Sequence, residues 1–124
     1  MRANYEVIVY KTLRGEVPVV EFLKELDQKS RMKVFAFLQL LQKEGPNLKR
    51  PYADKVRGKI YELRIPYRSD QFRVLYFFWM KNKVVLLHGF RKKSQEIREA
   101  DIRLAQSRMV DWVERHGEQG EQNQ

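Results

Sequence analysis

Cysteine is absent from this chain of 124 residues, and glycine and proline are scarce, with 6 and 4 residues. Without cysteine there is neither a disulfide framework nor a thiolate metal site. Long apolar runs are also lacking, because no segment approaches the roughly 18 apolar residues of a membrane-spanning helix, and the N-terminus has no apolar signal-peptide core. We therefore expect a soluble, cytoplasmic protein that makes no membrane contact.

Acidic residues are too few to balance the cations. The 25 Lys and Arg residues exceed the 16 Asp and Glu residues, which leaves a formal net charge of +9. Such a balance favours nucleic acid or an acidic protein as the partner.

A hydrophobic share of 43% is sufficient for a folded core. We expect residues 1–116 to form one domain and residues 117–124, which lack an apolar anchor, to be a disordered tail.

Histidine is almost as scarce, which limits the chemistry of any active site. The two histidines are His88 and His116, and the basic segment that contains His88, from Lys55 to Lys93, supplies only Glu62 and Asp70 as acidic residues. Metal hydrolysis needs several converging ligands, so this set predicts no metal centre. The chain also lacks a complete phosphate loop, a GxGxxG motif and a GxSxG motif. We expect no cofactor and no metal.

The segment from Lys55 to Lys93 is the most basic part of the chain. Polar breaks at Pro66–Asp70 and Lys81–Lys83 separate three apolar runs, which predicts three strands in an antiparallel meander. The segment contains eleven cations, and Glu62 and Asp70 are its only acidic residues. A sheet with this charge is expected to bind a polyanion.

The flanking segments predict one further strand and three helices. Tyr5–Tyr10 is β-branched and aromatic, which indicates a strand that joins the meander and is buried on both faces. Pro18 is expected to open a first helix. Ser30 is the predicted N-cap of a second helix, which ends at Gly45 and Pro46.

The remaining segments are a connector and a final helix. Residues 46–58 have no usable period, which predicts an irregular connector, and Ser94 is a candidate N-cap for the last helix. The predicted fold class is α+β, with a small antiparallel sheet, made of the N-terminal strand plus the three-strand meander, packed on a two-helix hairpin. The C-terminal helix completes it.

Cations alone can promote one phosphate reaction, because RNA carries its own nucleophile in the 2′-hydroxyl group. Arg64 and Arg73 interrupt apolar strands, where a cation must face solvent, a partner or a ligand. An outward-facing structural arginine is an equally good interpretation of either. Lys92 and Lys93 also fit an ordinary solvated pair, and His88 fits a structural histidine.

Three sequence pieces occur in a specific order, namely YELRI, QFRVLYFF and VVLLHGFRKKSQE. In this order and spacing the chain resembles the RelE/ParE superfamily of small toxins, in particular its phage-derived HigB-like subfamily of type II toxin–antitoxin systems. The resemblance implies a RelE-like α+β fold and metal-independent endonucleolytic cleavage of mRNA, commonly on the translating ribosome. It also implies a cognate antitoxin, often with a helix-turn-helix DNA-binding domain.

The resemblance also assigns roles to individual residues. It places phosphate binding and charge stabilisation on Arg64, Arg73 and Lys92, and proton transfer on Lys93 or His88. The expected RNA-binding residues are Phe90, which would stack on a base, Lys55 and Lys59, which would contact the RNA backbone, and Arg91. The chain departs from the subfamily at Ile97 and Arg98, where relatives often have Thr-Pro at the start of the last helix.

Two other functions fit the same basic sheet. A non-catalytic RNA-binding or ribosome-binding module would share the phosphate contacts without an aligned acid and base. A ParE-like inhibitor of DNA gyrase would act on a protein and leave RNA intact. The endoribonuclease is the function that the resemblance favours.

Overall fold

The computed structural model of the chain describes residues 4–93 and 96–118. Five strands and three α-helices account for most of these residues. The strands are β1 (Glu6–Val9), β2 (Ala53–Arg57), β3 (Ile60–Tyr67), β4 (Asp70–Trp79) and β5 (Lys83–Arg91). The helices are α1 (Pro18–Lys24), α2 (Gln28–Glu44) and α3 (Glu99–His116), and a short 3-10 helix, Gly45–Asn47, follows α2.

The five strands form one sheet in the order β1-β5-β4-β3-β2. Strands β3, β4 and β5 are the predicted antiparallel meander, which is therefore confirmed. The prediction of a purely antiparallel sheet is wrong, because β1 pairs with β5 in parallel. The long passage through α1, α2 and three strands brings the chain back beside β1 in the same direction, which a hairpin cannot do.

The predicted connector at residues 46–58 is wrong in its second half. Strand β2 lies there and pairs antiparallel with β3, with a register shift between Lys55 and Arg57. Charged residues alternate poorly with apolar ones in ADKVR, so the period is weak. Residues 53–57 form a strand because the free edge of β3 supplies main-chain hydrogen-bond partners for them.

The helix hairpin follows the expected pattern with one correction. Pro18 is the first residue of α1, as predicted. The N-cap of α2 is Asp27, whose side chain accepts a hydrogen bond from the Ser30 N–H at 2.7 Å, so the prediction of Ser30 as the N-cap is wrong. Aspartate caps as well as serine does, and Ser30 is instead buried in the first turn. The helix ends at Gly45, as predicted.

Two apolar clusters pack on opposite faces of the sheet. On one face α1 and α2 cover side chains from the three central strands, including Leu63, Val74 and Leu86. On the other face α3 packs its Ala105 and Trp112 against the sheet. Strand β1 lies at the sheet edge and is only partly buried, contrary to the predicted full burial on both faces. We call the sheet face covered by α1 and α2 the hairpin face, and the face covered by α3 the α3 face.

A bulge in β5 changes which face its last residues occupy. Leu75 pairs with His88 and Tyr76 pairs with Leu86, so Leu87 is the extra residue. Leu86 lies in the hairpin-face cluster, whereas His88 contacts α3. Residues two apart in a regular strand would share one face, so the bulge is what separates Leu86 from His88. Without the bulge, His88 would point at the helix hairpin.

The C-terminal helix begins at Glu99 with Arg98 as its N-cap residue. The proposed cap Ser94 lies outside the described residues, as does the predicted tail from residue 119 onward. Gly117, which we placed in the tail, is anchored, because its carbonyl accepts a 2.7 Å hydrogen bond from the Trp79 indole N–H. Within the described ranges, no helix is long and apolar enough to cross a membrane.

Candidate functional site

Arg64, Arg73 and Phe90 form a row across three neighbouring strands on the α3 face. Arg64 pairs with Arg73 across β3 and β4, and Arg73 pairs with Phe90 across β4 and β5. Directly opposed residues on one face of a sheet have Cβ atoms about 5 Å apart. The sheet register therefore brings together three of the residues that the sequence assigned to the site.

A buried carboxylate holds the two arginines in place. One oxygen of Glu62 accepts from Arg73 Nε at 3.0 Å, and the other accepts from Arg64 Nε at the same distance. Glu62 is 6% exposed and Arg73 is equally buried. Two like charges directly opposite each other repel. The carboxylate of Glu62, which both guanidinium groups share, offsets this repulsion.

The two arginines differ in what they can offer a ligand. Burial lowers the pKa of Arg73, and the nearby charge of Glu62 opposes that shift. Its Nη1 donates to the Phe72 carbonyl at 3.0 Å and to Gln71. Arg64 retains 33% of its side-chain exposure. Arg64, whose Nη2 also lies 3.4 Å from an Asp54 oxygen, is thus the more accessible of the two guanidinium groups, and Arg73 is a buried, fixed charge beside it.

His88 belongs to a hydrogen-bonded group at the start of α3, in which Arg98 and Asp101 form an ion pair. Its Nε2 lies 2.7 Å from an Asp101 oxygen, and Arg98 Nε donates to the other Asp101 oxygen at 3.1 Å. Burial lowers the pKa of His88 against the opposing effect of Asp101. Burial would raise the pKa of Asp101, but the hydrogen bonds from His88 and Arg98 lower it overall. A neutral imidazole beside an ionised aspartate is the result.

This arrangement defines the tautomer of the neutral ring. When Asp101 accepts from Nε2–H, the lone pair of His88 is on Nδ1, and that nitrogen can take up a proton. The ring stacks on Phe90, with centroids 4.9 Å apart and planes inclined by 27°. The stack fixes both rings beside the arginine row.

A cleft of about 240 Å³ opens where β5 ends and α3 begins. It has an aromatic wall, Phe90, and a rim of charged side chains. Its lining residues are Phe90, Arg91, Lys92, Lys93, Glu96, Arg98 and Asp101. The main-chain N–H of Lys92 donates to the Gln71 carbonyl at 2.7 Å, which continues the β4–β5 pairing beyond the strand. Both predicted site lysines therefore border this cleft.

Three of the predicted RNA contacts lie outside the arginine row, although one of them, Arg91, also lines the cleft. The Lys55 amine is 5.9 Å from the centroid of Tyr61, whose ring packs on the hairpin face. Arg91 lies over Phe72 on that same face and pairs with Asp70 at 3.2 Å. Lys59 is exposed in the turn before β3, five residues along the strand from Arg64. The structure does not bring these three to the arginine row.

Glu62 and Asp101 are the site residues that sequence reasoning missed. For Glu62 a signal existed, because it is two residues from Arg64 and so shares its face of a strand. No comparable signal exists for Asp101, since its contact with His88 depends on how α3 packs. Among the residues that the structure describes, no group of three or more His, Asp or Glu side chains could hold a metal ion.

Fold and site together define the class of this protein, which is a small α+β protein with a basic sheet face. On that face two arginines bind one buried carboxylate, and a histidine–aspartate pair lies next to them. The sequence profile of the phage-derived, Gp49-like proteins (DUF891) matches residues 21–110. The chain belongs to that family. Members of the family are often toxins of the toxin–antitoxin type. No curated protein matches the chain significantly.

This finding corrects the assignment to the RelE/ParE superfamily and its HigB-like subfamily. The Gp49-like family is distinct from it, although it is related to toxins of toxin–antitoxin systems. The pieces that suggested the assignment are strand segments with one to three cations among or after apolar residues. Such pieces report the architecture of a basic sheet and do not separate one family of small toxins from another.

Proposed function

We propose that this protein is a toxin that cleaves RNA without a metal ion, using the arginine row and the His88–Asp101 pair. The observation that carries the proposal is the placement of Arg64, Arg73, Phe90 and His88 on one face, beside the cleft at the end of β5. This set offers a base, a phosphate site and an aromatic surface for base stacking, and Lys93 at the cleft rim offers the acid that the 5′-oxygen needs.

The first step is attack by the 2′-oxygen on the adjacent phosphorus. His88 Nδ1 takes the hydroxyl proton, and Asp101 stabilises the imidazolium that results. Negative charge then builds on the phosphate oxygens of the pentacoordinate state. Arg64 donates to those oxygens, while the fixed charge of Arg73 stabilises them from below.

The second step breaks the bond between phosphorus and the 5′-oxygen. That oxygen leaves with a proton from Lys93, which is exposed at the cleft rim. The products are a 2′,3′-cyclic phosphate and a 5′-hydroxyl end, so atoms and charge balance without a cofactor. Lys92 contributes to phosphate binding, and Phe90 stacks on a base.

The partners follow from this activity. An unregulated RNase would damage its host, so the proposal includes a cognate antitoxin, and translated mRNA on the ribosome is the proposed substrate. The net charge of +9 supports a ribonucleoprotein target through its effect on association. Membership in a family that is often toxin-like supports the antitoxin.

The test is inducible expression in a bacterial host with His88→Gln and Arg64→Ala as variants and Arg14→Ala as the matched control. Arg14 is exposed in the turn after β1, remote from the site. Growth is followed and cut sites are mapped by primer extension, with soluble protein levels equalised. Loss of a general base lowers cleavage by about 100-fold to 10,000-fold. The control variant should cut as the wild type does.

Other outcomes contradict the proposal in distinguishable ways. Bound but uncut RNA in every variant would indicate a non-catalytic binding module. Growth arrest with intact messages and altered DNA supercoiling would indicate a gyrase inhibitor. Cleavage that yields 3′-hydroxyl ends would contradict attack by the 2′-oxygen.

A further inference from the structure

One half of the outer edge of β5 is covered and the other half is open. Strand β1 pairs with the first half, from Lys83 to Leu86, and the Tyr10 N–H donates to the Leu86 carbonyl at 2.9 Å. At the bulge a side chain replaces β1 as the hydrogen-bond partner of this edge, because Arg108 Nη1 donates to the Leu87 carbonyl at 2.8 Å. In the described part of the chain, no strand pairs with this edge after Leu87.

The main-chain groups of Gly89 and Arg91 point out from this open edge. The N–H of Lys92 donates towards β4, to Gln71. Main-chain directions alternate along a strand, so His88, Phe90 and Lys92 face β4 while Gly89 and Arg91 face away. Backbone donors and acceptors need partners, and an exposed row of them is a template for another strand.

A groove of about 910 Å³ runs along this edge. The α1 side supplies an apolar surface through Phe22, which packs so closely on Gly89 that a Cβ there would lie 2.5 Å from the ring. The other side is lined by His88, Phe90, Arg91, Lys93 and Arg108. An extended segment fits such a groove because its side chains point alternately to the two walls.

The α1 wall is acidic although the protein is strongly basic. Glu16, Glu21 and Glu25 line the groove, and within the described ranges none of them forms an ion pair. Other carboxylates, such as Glu62, Asp70 and Asp101, each pair with a cation. Arg91, Lys93 and Arg108 line the opposite wall, so the three unpaired carboxylates attract a cationic side chain, and repel RNA, along the α1 wall only.

We propose that the open edge of β5 binds an extended, cationic segment of a partner protein by strand addition. The added strand would continue the edge where β1 ends and form hydrogen bonds with the main chain of Gly89 and Arg91. Its Lys or Arg side chains would face Glu21 and Glu25 on α1. The main-chain groups and carboxylates that hold the peptide take no part in the proposed RNA cleavage, but His88, Phe90 and Lys93 line the same groove, so a bound peptide would lie beside the cleavage site.

The probe is a synthetic octapeptide of alternating Lys and Val, titrated into ¹⁵N-labelled protein and followed by the amide signals. We expect the Gly89 and Arg91 amides to shift on binding and then to exchange more slowly with solvent. Two N-methylated peptides, one methylated at every Lys and the other at every Val, test the hydrogen bonding. Only one of the two should lose binding, because N–H groups of one set alone face the edge.

Two pairs of variants test the walls and the edge. Glu21→Gln with Glu25→Gln should weaken peptide binding by about threefold to tenfold, whereas Glu44→Gln with Glu114→Gln, which changes the net charge equally, should leave it unchanged. Arg91→Pro removes an outward N–H and leaves the β4 bonds intact. It should weaken binding more than Arg91→Ala, which removes the same side chain.

Several results would overturn the proposal. These are no amide shift with peptide at millimolar concentration, equal binding of both methylated peptides, or equal effects of the two glutamate pairs. A single-stranded RNA that shifts the Gly89 and Arg91 amides as strongly as the peptide would assign the groove to nucleic acid instead.

Discussion

At the scale of single residues, the carboxylate of Glu62 is the feature on which the arrangement of the two site arginines depends. It is buried between the two guanidinium groups, 3.0 Å from each Nε. Removing one partner of a buried pair leaves an uncompensated charge, which costs more than the pair itself contributes. Glu62 therefore stabilises the fold and also neutralises charge between the two site arginines.

Glu62→Ala is expected to lower the free energy of unfolding by about 3–5 kcal/mol, because Arg73 would remain buried and unpaired. Urea denaturation of the purified variant measures the change. Glu99→Gln, in an exposed pair with Arg57, is the control and should alter stability little. The double variant Glu62→Met with Arg73→Leu should recover most of the loss. An effect of Glu62→Ala no larger than that of the control would mean that the pair is solvated.

The depressed pKa of His88 predicts a pH dependence of stability. Burial lowers this pKa below the ordinary value of 6.5, so in acid the unfolded chain binds a proton that the folded chain does not. Stability is then complete above about pH 6.5 and falls as the pH drops towards the folded pKa, by up to about 1.4 kcal/mol per pH unit. The pH window follows from the direction of the shift.

Chemical denaturation of wild type and His88→Gln between pH 5 and pH 8 tests this prediction. The variant should show a flatter profile than the wild type in that range. His116→Gln is the matched control, since His116 is the other histidine of the chain, and it should retain the wild-type slope. An unchanged slope in His88→Gln would contradict the proposed origin of the acid sensitivity.

At the scale of elements, the bulge at Leu87 decides the composition of the site. It rotates the end of β5, so that His88 and Phe90 join Arg73 on the α3 face and Gly89 meets α1. Glycine is required at residue 89 because the ring of Phe22 occupies the place where a Cβ atom would lie.

Gly89→Ala should displace α1 from β5 and lower the free energy of unfolding by about 1–3 kcal/mol, as overpacking does. Thermal or urea unfolding measures the loss. Adding Phe22→Leu removes ring atoms that the new Cβ would meet, so the double variant should lose less than the sum of the two single changes. Additive effects would show that Gly89 and Phe22 act independently.

At the scale of the whole molecule, the charges are separated by region. The arginine row lies on the α3 face, whereas unpaired carboxylates lie along α1, across a groove from Lys93 and Arg108. A net charge of +9 attracts a polyanion at long range. The local distribution then decides where the polyanion contacts the surface.

Binding of a 2′-O-methylated RNA, which cannot be cleaved through its 2′-oxygen, should weaken steeply with salt. Each phosphate contact adds about 0.7 to the slope of log affinity against log salt for a single strand. Arg64→Ala should therefore reduce that slope by about 0.7, as measured by fluorescence anisotropy. Arg14→Ala is the control and should leave it unchanged. An equal reduction by both variants would indicate that net charge alone governs binding.

The sequence by itself determined the local elements and the basic character of the sheet. Apolar runs of the right length predicted β3, β4 and β5, and Pro18 and Gly45 marked helix ends, because these signals depend on neighbouring residues only. Candidate cations such as Arg64 and Arg73 were also visible, since a charge inside an apolar strand is exceptional.

Only the tertiary structure decided how these pieces combine. The parallel pairing of β1, the added strand β2 and the bulge at Leu87 depend on partners that are distant in the sequence. The contact between His88 and Asp101 depends on the packing of α3, and the open edge of β5 depends on where β1 ends. Long-range pairing and register are set by the whole core, and that is why the sequence predicted the site's cations while the fold supplied Glu62, Asp101 and the groove.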